Sequence, residues 1–318
     1  MTIKRILITG AAGFIGYHLA NFLKKEDIFV IGLDNFNDYY SRKLKEDRAL
    51  ALQNKGVVIT TGDICDPGVI DELIKKHNIT HIVHLAAQAG VRYSLTHPEV
   101  YIKANIEGFL QVLEACRRAP SVKLIYASSS SVYGRNKKIP FAVSDPTDLP
   151  ANMYGVTKKT KELMASTYHY LYNIPVVGLR FFTVYGPWGR PDMAYYSFTK
   201  KILKGEPIDL YNFGDMHRDF TYIDDIIDGV VKCIDLPNGC HIFNLGNNNP
   251  ESLHTLVELI EQETGKKAKI NLLPMPEGEI IETYADIEES KKVLGFYPKT
   301  SLAEGIGNFV NWFRQYHE

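Results

Sequence analysis

Two short stretches of the chain carry side chains able to move a proton and polarise an oxygen. Residues 126–135 read YASSSSVYGR, with consecutive hydroxyls at Ser128, Ser129, Ser130 and Ser131. Further on, Tyr154-Gly155-Val156-Thr157-Lys158 sets a phenol and an ammonium at i and i+4, one turn apart on one helix face. A phenol has a reference pKa near 10, so work as a base at neutral pH needs a shift of roughly 3 units, about 4 kcal/mol. A cation about 4 Å away supplies on the order of 4 kcal/mol at an effective dielectric of about 20. A serine hydroxyl facing the phenol shares the proton path and polarises the reacting oxygen. Such a set suits oxidation and reduction at a carbinol carbon, provided a hydride carrier lies within reach.

A run of serines by itself reads as linker, and a YxxxK by itself is common surface decoration. The elements around them decide the matter. Short apolar runs at Ile6-Leu7-Ile8, Phe29-Val30-Ile31, Val57-Val58-Ile59, Ile82-Val83-His84-Leu85, Leu124-Ile125 and Val176-Val177-Gly178-Leu179 read as buried strands. Between them lie amphipathic segments such as Phe14 to Lys25, Gly68 to His77 and Glu99 to Arg117. Strands buried on both faces and alternating with helices mean an α/β fold with a doubly wound parallel sheet. The serines and the YxxxK then lie at the carboxyl edge of the strands, where ligands bind. From Thr183 onward the pattern loosens into a loop-rich excursion with a helix near Ser197 to Leu203. Phe220 to Asp235 reads as a return to the sheet before a C-terminal lobe.

The hydride carrier has its own signature. Gly10-Ala11-Ala12-Gly13-Phe14-Ile15-Gly16 gives GxxGxxG between the first strand and the first helix, and Asp34 ends the second strand at the expected distance. Gly10 allows the tight turn, Gly13 the close approach of a pyrophosphate, and Gly16 the packing of helix on sheet. The helix N-terminus offers N–H groups to the phosphates. Asp34 would accept from the adenosine ribose and repel a 2′-phosphate, and Asn35-Phe36-Asn37 supplies no arginine, so NAD is expected over NADP. Its oxidised nicotinamide ring adds positive charge beside Lys158. Asp63-Ile64, after the third strand, reads either as an adenine contact or as a helix-start Asp.

Composition excludes other classes. The 318-residue chain is 45% apolar and 23% charged, ordinary for a soluble protein, with a formal net charge of -1. That balance argues against nucleic acid or an anionic membrane as partner. No apolar run reaches membrane-spanning length. Cys65, Cys116, Cys233 and Cys240 lack CxxC spacing, which fits free thiols in the cytoplasm. His84 has no second ligand at metal spacing and reads as structural. Lys201 and Lys204 read as solvated helix charges.

These residues, with His84-Leu85-Ala86-Ala87 and Asn105, resemble the extended short-chain dehydrogenase/reductase family over essentially the whole chain. Three stretches are similar more narrowly to UDP-glucuronate 4-epimerases: Asp34 to Tyr40 (DNFNDYY), Gly186 to Tyr195 (GPWGRPDMAY) and Gly214 to Phe220 (GDMHRDF). The resemblance implies a Rossmann-type NAD-binding domain over 1–180, with 219–246 returning to it. It implies a smaller substrate-binding lobe for a UDP-sugar over 181–218 and 247–318. Gly10, Gly13, Phe14, Ile15, Gly16, Asp34, Asn35, Asp63, Ile64, Leu85, Ala86, Ala87 and Asn105, with Tyr154 and Lys158, are then expected at the cofactor. Ser129 takes the catalytic Ser/Thr place, with Ser130 and Ser131 beside it.

Related dehydratases put Asp-Glu at the places of Ser130 and Ser131, and related uronate decarboxylases put Glu at that of Ser131. Without those carboxylates, oxidation at C4, rotation of the ketone and re-reduction remain. The 4-keto intermediate is a β-keto acid, and a group that fixes its C6 carboxylate in the ring plane suppresses loss of CO₂. Arg190 is the candidate clamp, its alternative being a rim arginine. Arg218 is implied as a diphosphate ligand. Thr183, Arg92 and Tyr211 are further substrate contacts or wall residues. Pro276-Glu277-Gly278-Glu279 departs from relatives that carry an Arg and a Gly-Asp here. Competing readings are a 4-epimerase of a neutral UDP-hexose, a net dehydrogenase and a redox-sensing regulator. Helices near Glu99–Arg117 and Met153–Tyr172 resemble the pair that forms a homodimer interface in relatives.

Overall fold

A computed structural model describes residues 4–317, so residues 1–3 and 318 of the two expected lobes lie outside it. Twelve strands run in chain order: β1 Arg5–Thr9, β2 Phe29–Asp34, β3 Val58–Thr61, β4 His81–His84, β5 Lys123–Ser129, β6 Val176–Phe181, β7 Thr183–Tyr185, β8 Pro207–Tyr211, β9 His217–Tyr222, β10 Cys240–Leu245, β11 Pro250–Ser252 and β12 Lys269–Leu273. Seven of them form one sheet in the order β3-β2-β1-β4-β5-β6-β10, and every pairing in it is parallel. This is the Rossmann-type doubly wound sheet expected from the sequence. The order reverses between β1 and β4, which opens a crevice at their carboxyl ends.

Alternation along the strands supplies both faces. Ile6 and Ile8 of β1 join one apolar cluster with Val83, Ile125, Val177 and the helix residues Phe14, Leu19 and Leu23. Leu7 points the other way, into a second cluster with Ile82, Leu124, Phe109, Val112 and Leu113. β5 is buried at all seven positions, Lys123 to Ser129. Its last residue therefore meets the crevice with no freedom to shift.

Two expectations change. The return to the sheet after Phe220 is made by β10, which pairs with β6, whereas β9 pairs with β7 and β11 in a separate three-stranded sheet. The residues of β9 alternate too weakly for the sequence to assign its partner. The expected Glu99–Arg117 helix is divided: Pro98–Ile102 runs into a π-helical turn at Lys103–Glu107 and continues as Gly108–Arg118. π turns of this kind cluster at functional sites, and this one carries Asn105. A parallel pair, β8 and β12, completes the smaller part of the fold.

Candidate active site

Of the four serines, the structure gives Ser128 to the core. Its hydroxyl donates to Glu162 Oε1 at 2.6 Å, and the same carboxylate takes Arg180 Nε at 2.8 Å and Nη2 at 2.9 Å. The Glu162–Arg180 pair is almost wholly enclosed. Removing either partner of such a buried pair would leave an uncompensated charge, and Arg180 continues the network to the Tyr133 hydroxyl at 3.0 Å. Ser128 thus fastens the strand end. All four serines border the crevice, a cavity of about 1080 Å³, Ser128 with its hydroxyl turned to Glu162. Ser129 closes β5, and its Oγ accepts the Ser131 N–H at 3.2 Å and donates to Ser131 Oγ at 3.2 Å.

The helix Met153–Tyr172 comes against this turn. Asn152 caps it, its Oδ1 accepting the Gly155 N–H at 2.9 Å, as a helix start requires. Gly155 is needed for the approach, since a Cβ there would lie 2.6 Å from the Ser131 carbonyl oxygen. Tyr154 and Lys158 line the same cavity. Lys158 Nζ donates to Ala127 O of β5 at 2.9 Å and sits 5.5 Å from the centroid of the Tyr154 ring. Burial lowers the Lys158 pKa, Tyr154 and Glu162 oppose this, and the Arg190 charge adds to it. The ammonium is anchored by a backbone carbonyl near the phenol, and no described carboxylate is paired with it.

The nucleotide end of the cavity fits a dinucleotide. A Cβ on Gly16 would lie 2.1 Å from Gly10 O, so loop and helix meet at backbone distance. The helix Phe14–Lys25 begins at Gly13 with no side-chain cap, leaving N–H groups free for phosphate. Asp34 accepts from Ala12 N at 3.0 Å and Phe36 N at 2.9 Å, and burial raises its pKa. Ribose hydroxyls are the donors that would restore its solvation. Asp63 resolves as a turn former, accepting the Cys65 N–H at 2.8 Å and Asn35 Nδ2 at 2.9 Å. Those bonds outweigh burial and hold its carboxyl below the usual value. Asn35, Asp63, Ile64, Leu85, Ala86 and Ala87 all line the cavity, with Gly10, Gly13, Phe14, Ile15 and Gly16.

Asn105 is not among the residues that line the cavity. It is buried, accepting Gln88 N at 2.8 Å and donating to Gln88 O and Thr157 Oγ1, each at 3.0 Å. It holds the loop after β4 to the helix Met153–Tyr172. His84 is likewise interior, with Nδ1 2.8 Å from Thr9 Oγ1 and a pKa driven well below the ordinary value by burial.

On the substrate side, Thr183, Arg92, Tyr211, Arg190 and Arg218 line the cavity. Arg92 stacks over Tyr211 at 4.2 Å. Glu279 ties two arginines together, taking Arg92 Nε at 3.2 Å and Arg218 Nη2 at 3.3 Å. The sequence marks Glu279 only as part of a stretch that departs from relatives. Arg48 and Lys45, buried on the helix Arg42–Gln53 among exposed charges of identical type, carry no sequence signal. Among the described residues Arg48 has no carboxylate partner: it donates to Ala12 O, the Tyr40 hydroxyl, Trp188 O and Gly189 O. Lys45 Nζ reaches Asn37 O and Oδ1, each at 2.6 Å, and burial lowers its pKa to about 8.

A family model described as the NAD dependent epimerase/dehydratase family matches residues 6–246. The chain belongs to this family. It is 51% identical over 98% of its length to an uncharacterised protein of Methanocaldococcus jannaschii, covering 97% of that protein. It is 46% identical over 98% of its length to UDP-glucuronate 4-epimerase 4 of Arabidopsis thaliana, covering 76% of it. Among solved structures, the UDP-glucuronic acid 4-epimerase of Bacillus cereus in complex with UDP-glucuronic acid and NAD superposes with a TM-score of 0.93. Identity there is 35%, with 99% of this chain and 100% of that one covered. For this NAD dependent epimerase/dehydratase, the glycine loop and Asp34 are the features that suit the cofactor.

Proposed function

We propose that the protein is a UDP-glucuronate 4-epimerase, inverting C4 to interconvert UDP-glucuronate and UDP-galacturonate. The observation that carries this reading is the convergence, in one cavity, of the Ser129–Tyr154–Lys158 set with the Arg190 guanidinium. The first is equipment for a carbinol, the second for a carboxylate. The glycine loop and Asp34 would hold NAD, which would supply reversible hydride transfer at C4.

The chain's own residues do the rest. Tyr154 as phenolate takes the C4 hydroxyl proton, with Ser129 hydrogen-bonded to the same oxygen, and Lys158 stabilises the phenolate. After the sugar turns about its diphosphate linkage, the Tyr154 phenol returns the proton on the other face. Arg190, with neutral hydrogen bonds from Ser130, Ser131 and Thr183, holds the C6 carboxylate in the ring plane. That denies the C5–C6 bond overlap with the ketone. Arg218 is the candidate diphosphate ligand, Arg92 a further substrate contact, and Tyr211 the candidate at the uracil.

We place the enzyme in the cytoplasm, because all four cysteines are free and Cys240 is exposed. No described helix is long and apolar enough to cross a membrane. We propose a homodimer, because Leu110, Val156, Leu163 and Leu171 are exposed on the Gly108–Arg118 and Met153–Tyr172 helices. The deciding experiment incubates purified protein with UDP-glucuronate and reads C4 stereochemistry together with CO₂. A C4 epimer with little CO₂ is expected. A UDP-pentose as main product would overturn the assignment.

A further inference from the structure

Arg190 does not stand alone in the cavity. Its Nε donates to Asp192 Oδ1 at 3.1 Å and its Nη2 to Asp192 Oδ2 at 2.5 Å. Asp192 Oδ2 also accepts the Tyr39 hydroxyl, at 3.2 Å, from the loop that follows β2. Tyr39 reaches that point because position 90 is glycine, at φ +103, where a Cβ would lie 2.2 Å from the Tyr39 hydroxyl oxygen. The turn at Gly90 is itself fixed by the Tyr101 hydroxyl, which donates to Ala89 O and Gly90 O. Tyr39, Gly90, Arg190 and Asp192 all line the cavity that holds Tyr154 and Lys158.

A guanidinium has two edges that can grip a carboxylate, Nε with Nη2 and Nη1 with Nη2. Asp192 fills the first. Only the terminal edge is left for a ligand, and its direction is set by Asp192. The charges suit the task. Burial would raise the Asp192 pKa, but the Arg190 guanidinium outweighs it and holds the carboxyl below its usual value. Burial and the Asp192 charge push the Tyr39 phenol up to about 12, so it stays protonated and donates. Asp192 is not needed to keep the surrounding loop in place. Pro187 O is already bonded to His18 Nε2 at 2.8 Å, and Trp188 O and Gly189 O to Arg48.

Resting on the reading that Arg190 holds the C6 carboxylate, we propose that Asp192, steadied by Tyr39, is a positioning residue. It turns the free terminal edge of Arg190 onto that carboxylate, and so sets both the preference for a uronic acid and the retention of CO₂. The competing loss breaks the C5–C6 bond of the 4-ketone. Carbon 6 leaves as CO₂, the electron pair passes into the C4 carbonyl as an enolate, and a proton is taken up at C5. No further reactant is needed, so the orientation of the carboxylate is what holds the reaction back.

The test uses Asp192→Asn and Tyr39→Phe in the full chain with its bound NAD. For Asp192→Asn the KM for UDP-glucuronate should rise about tenfold, the cost of misdirecting one charge-assisted pair. The CO₂ released per C4 epimer formed should rise with it, while inhibition by UDP, which lacks the sugar, changes less than about twofold. Tyr39→Phe should move both quantities the same way by about threefold, as one neutral hydrogen bond is lost. Should Asp192→Asn fail to retain NAD, Tyr39→Phe carries the test, since it removes a single oxygen. An unchanged KM and CO₂ ratio, or weakening of UDP in parallel with UDP-glucuronate, overturns the proposal. Failure of the unaltered enzyme to epimerise UDP-glucuronate would instead remove the functional reading beneath it.

Discussion

In the proposed mechanism Tyr154 and Lys158 handle the proton and Arg190 holds the carboxylate, and each has its own measurable consequence. Tyr154→Phe removes the base and should lower turnover at least about 10²-fold, the low end for general acid–base catalysis, with NAD content unchanged. Lys158 sets the alkaline limit. Burial lowers its pKa, so the ammonium is present at low pH and is lost as pH rises, at a lower pH than the ordinary lysine value of 10.5. Turnover should therefore decline on the alkaline side before pH 10.5, and a rate profile that stays level beyond that value would contradict the role. Arg190→Ala should impair UDP-glucuronate more than UDP-glucose, and equal losses on both would remove it as a carboxylate ligand. The spacing of Tyr154 and Lys158 was legible because i and i+4 share a helix face. The separate duty of Ser128 was not. Its neighbours have the same side chain, and only the position of Glu162 on the facing helix tells them apart.

The first helix, Phe14–Lys25, does more than open the nucleotide site. His18 bonds to Pro187 O, and Tyr17 packs against Trp188 with ring centroids 5.2 Å apart. Burial drives the His18 pKa from 6.5 down to about 4. Between those values the unfolded chain binds more protons than the folded one, so stability rises with pH across that window. The contribution is complete above about pH 6.5 and falls away toward pH 4, by up to about 3 kcal/mol. His18→Gln should flatten this part of the stability curve, and denaturant melts between pH 4 and 7 would show whether it does. Gly16→Ala should strip NAD from the purified protein, because its Cβ has no space beside Gly10 O. The glycine loop and most sheet strands could be read in advance, since runs buried on both faces alternate with helices. β9 and the π turn could not, because pairing partners and register depend on distant chain that local patterning does not encode.

At the scale of the whole molecule, the exposed leucines of the two helices and the mutual orientation of cofactor and substrate walls matter most. Leu163→Lys places a charge at the centre of the exposed apolar stripe and should leave a monomer in sedimentation. A dimer that persists would move the interface elsewhere. The cavity of about 1080 Å³ could not be foreseen, because it is bounded by residues from both ends of the chain, Gly10 and Thr283 among them. Nor could its bracing, since Arg48 looks like any other charge on its helix. That arginine grips the carbonyl of Ala12 in the nucleotide loop and those of Trp188 and Gly189 beside Arg190. With the His18 bond to Pro187 O, it ties the two walls together, and among the described residues it has no acidic counterpart. A sugar ring that must present both faces to one hydride carrier can then expect no help from shifting walls. The slack for its half-turn has to be carved into the chamber permanently, and the price is a loose grip on the hexose between its two anchored ends.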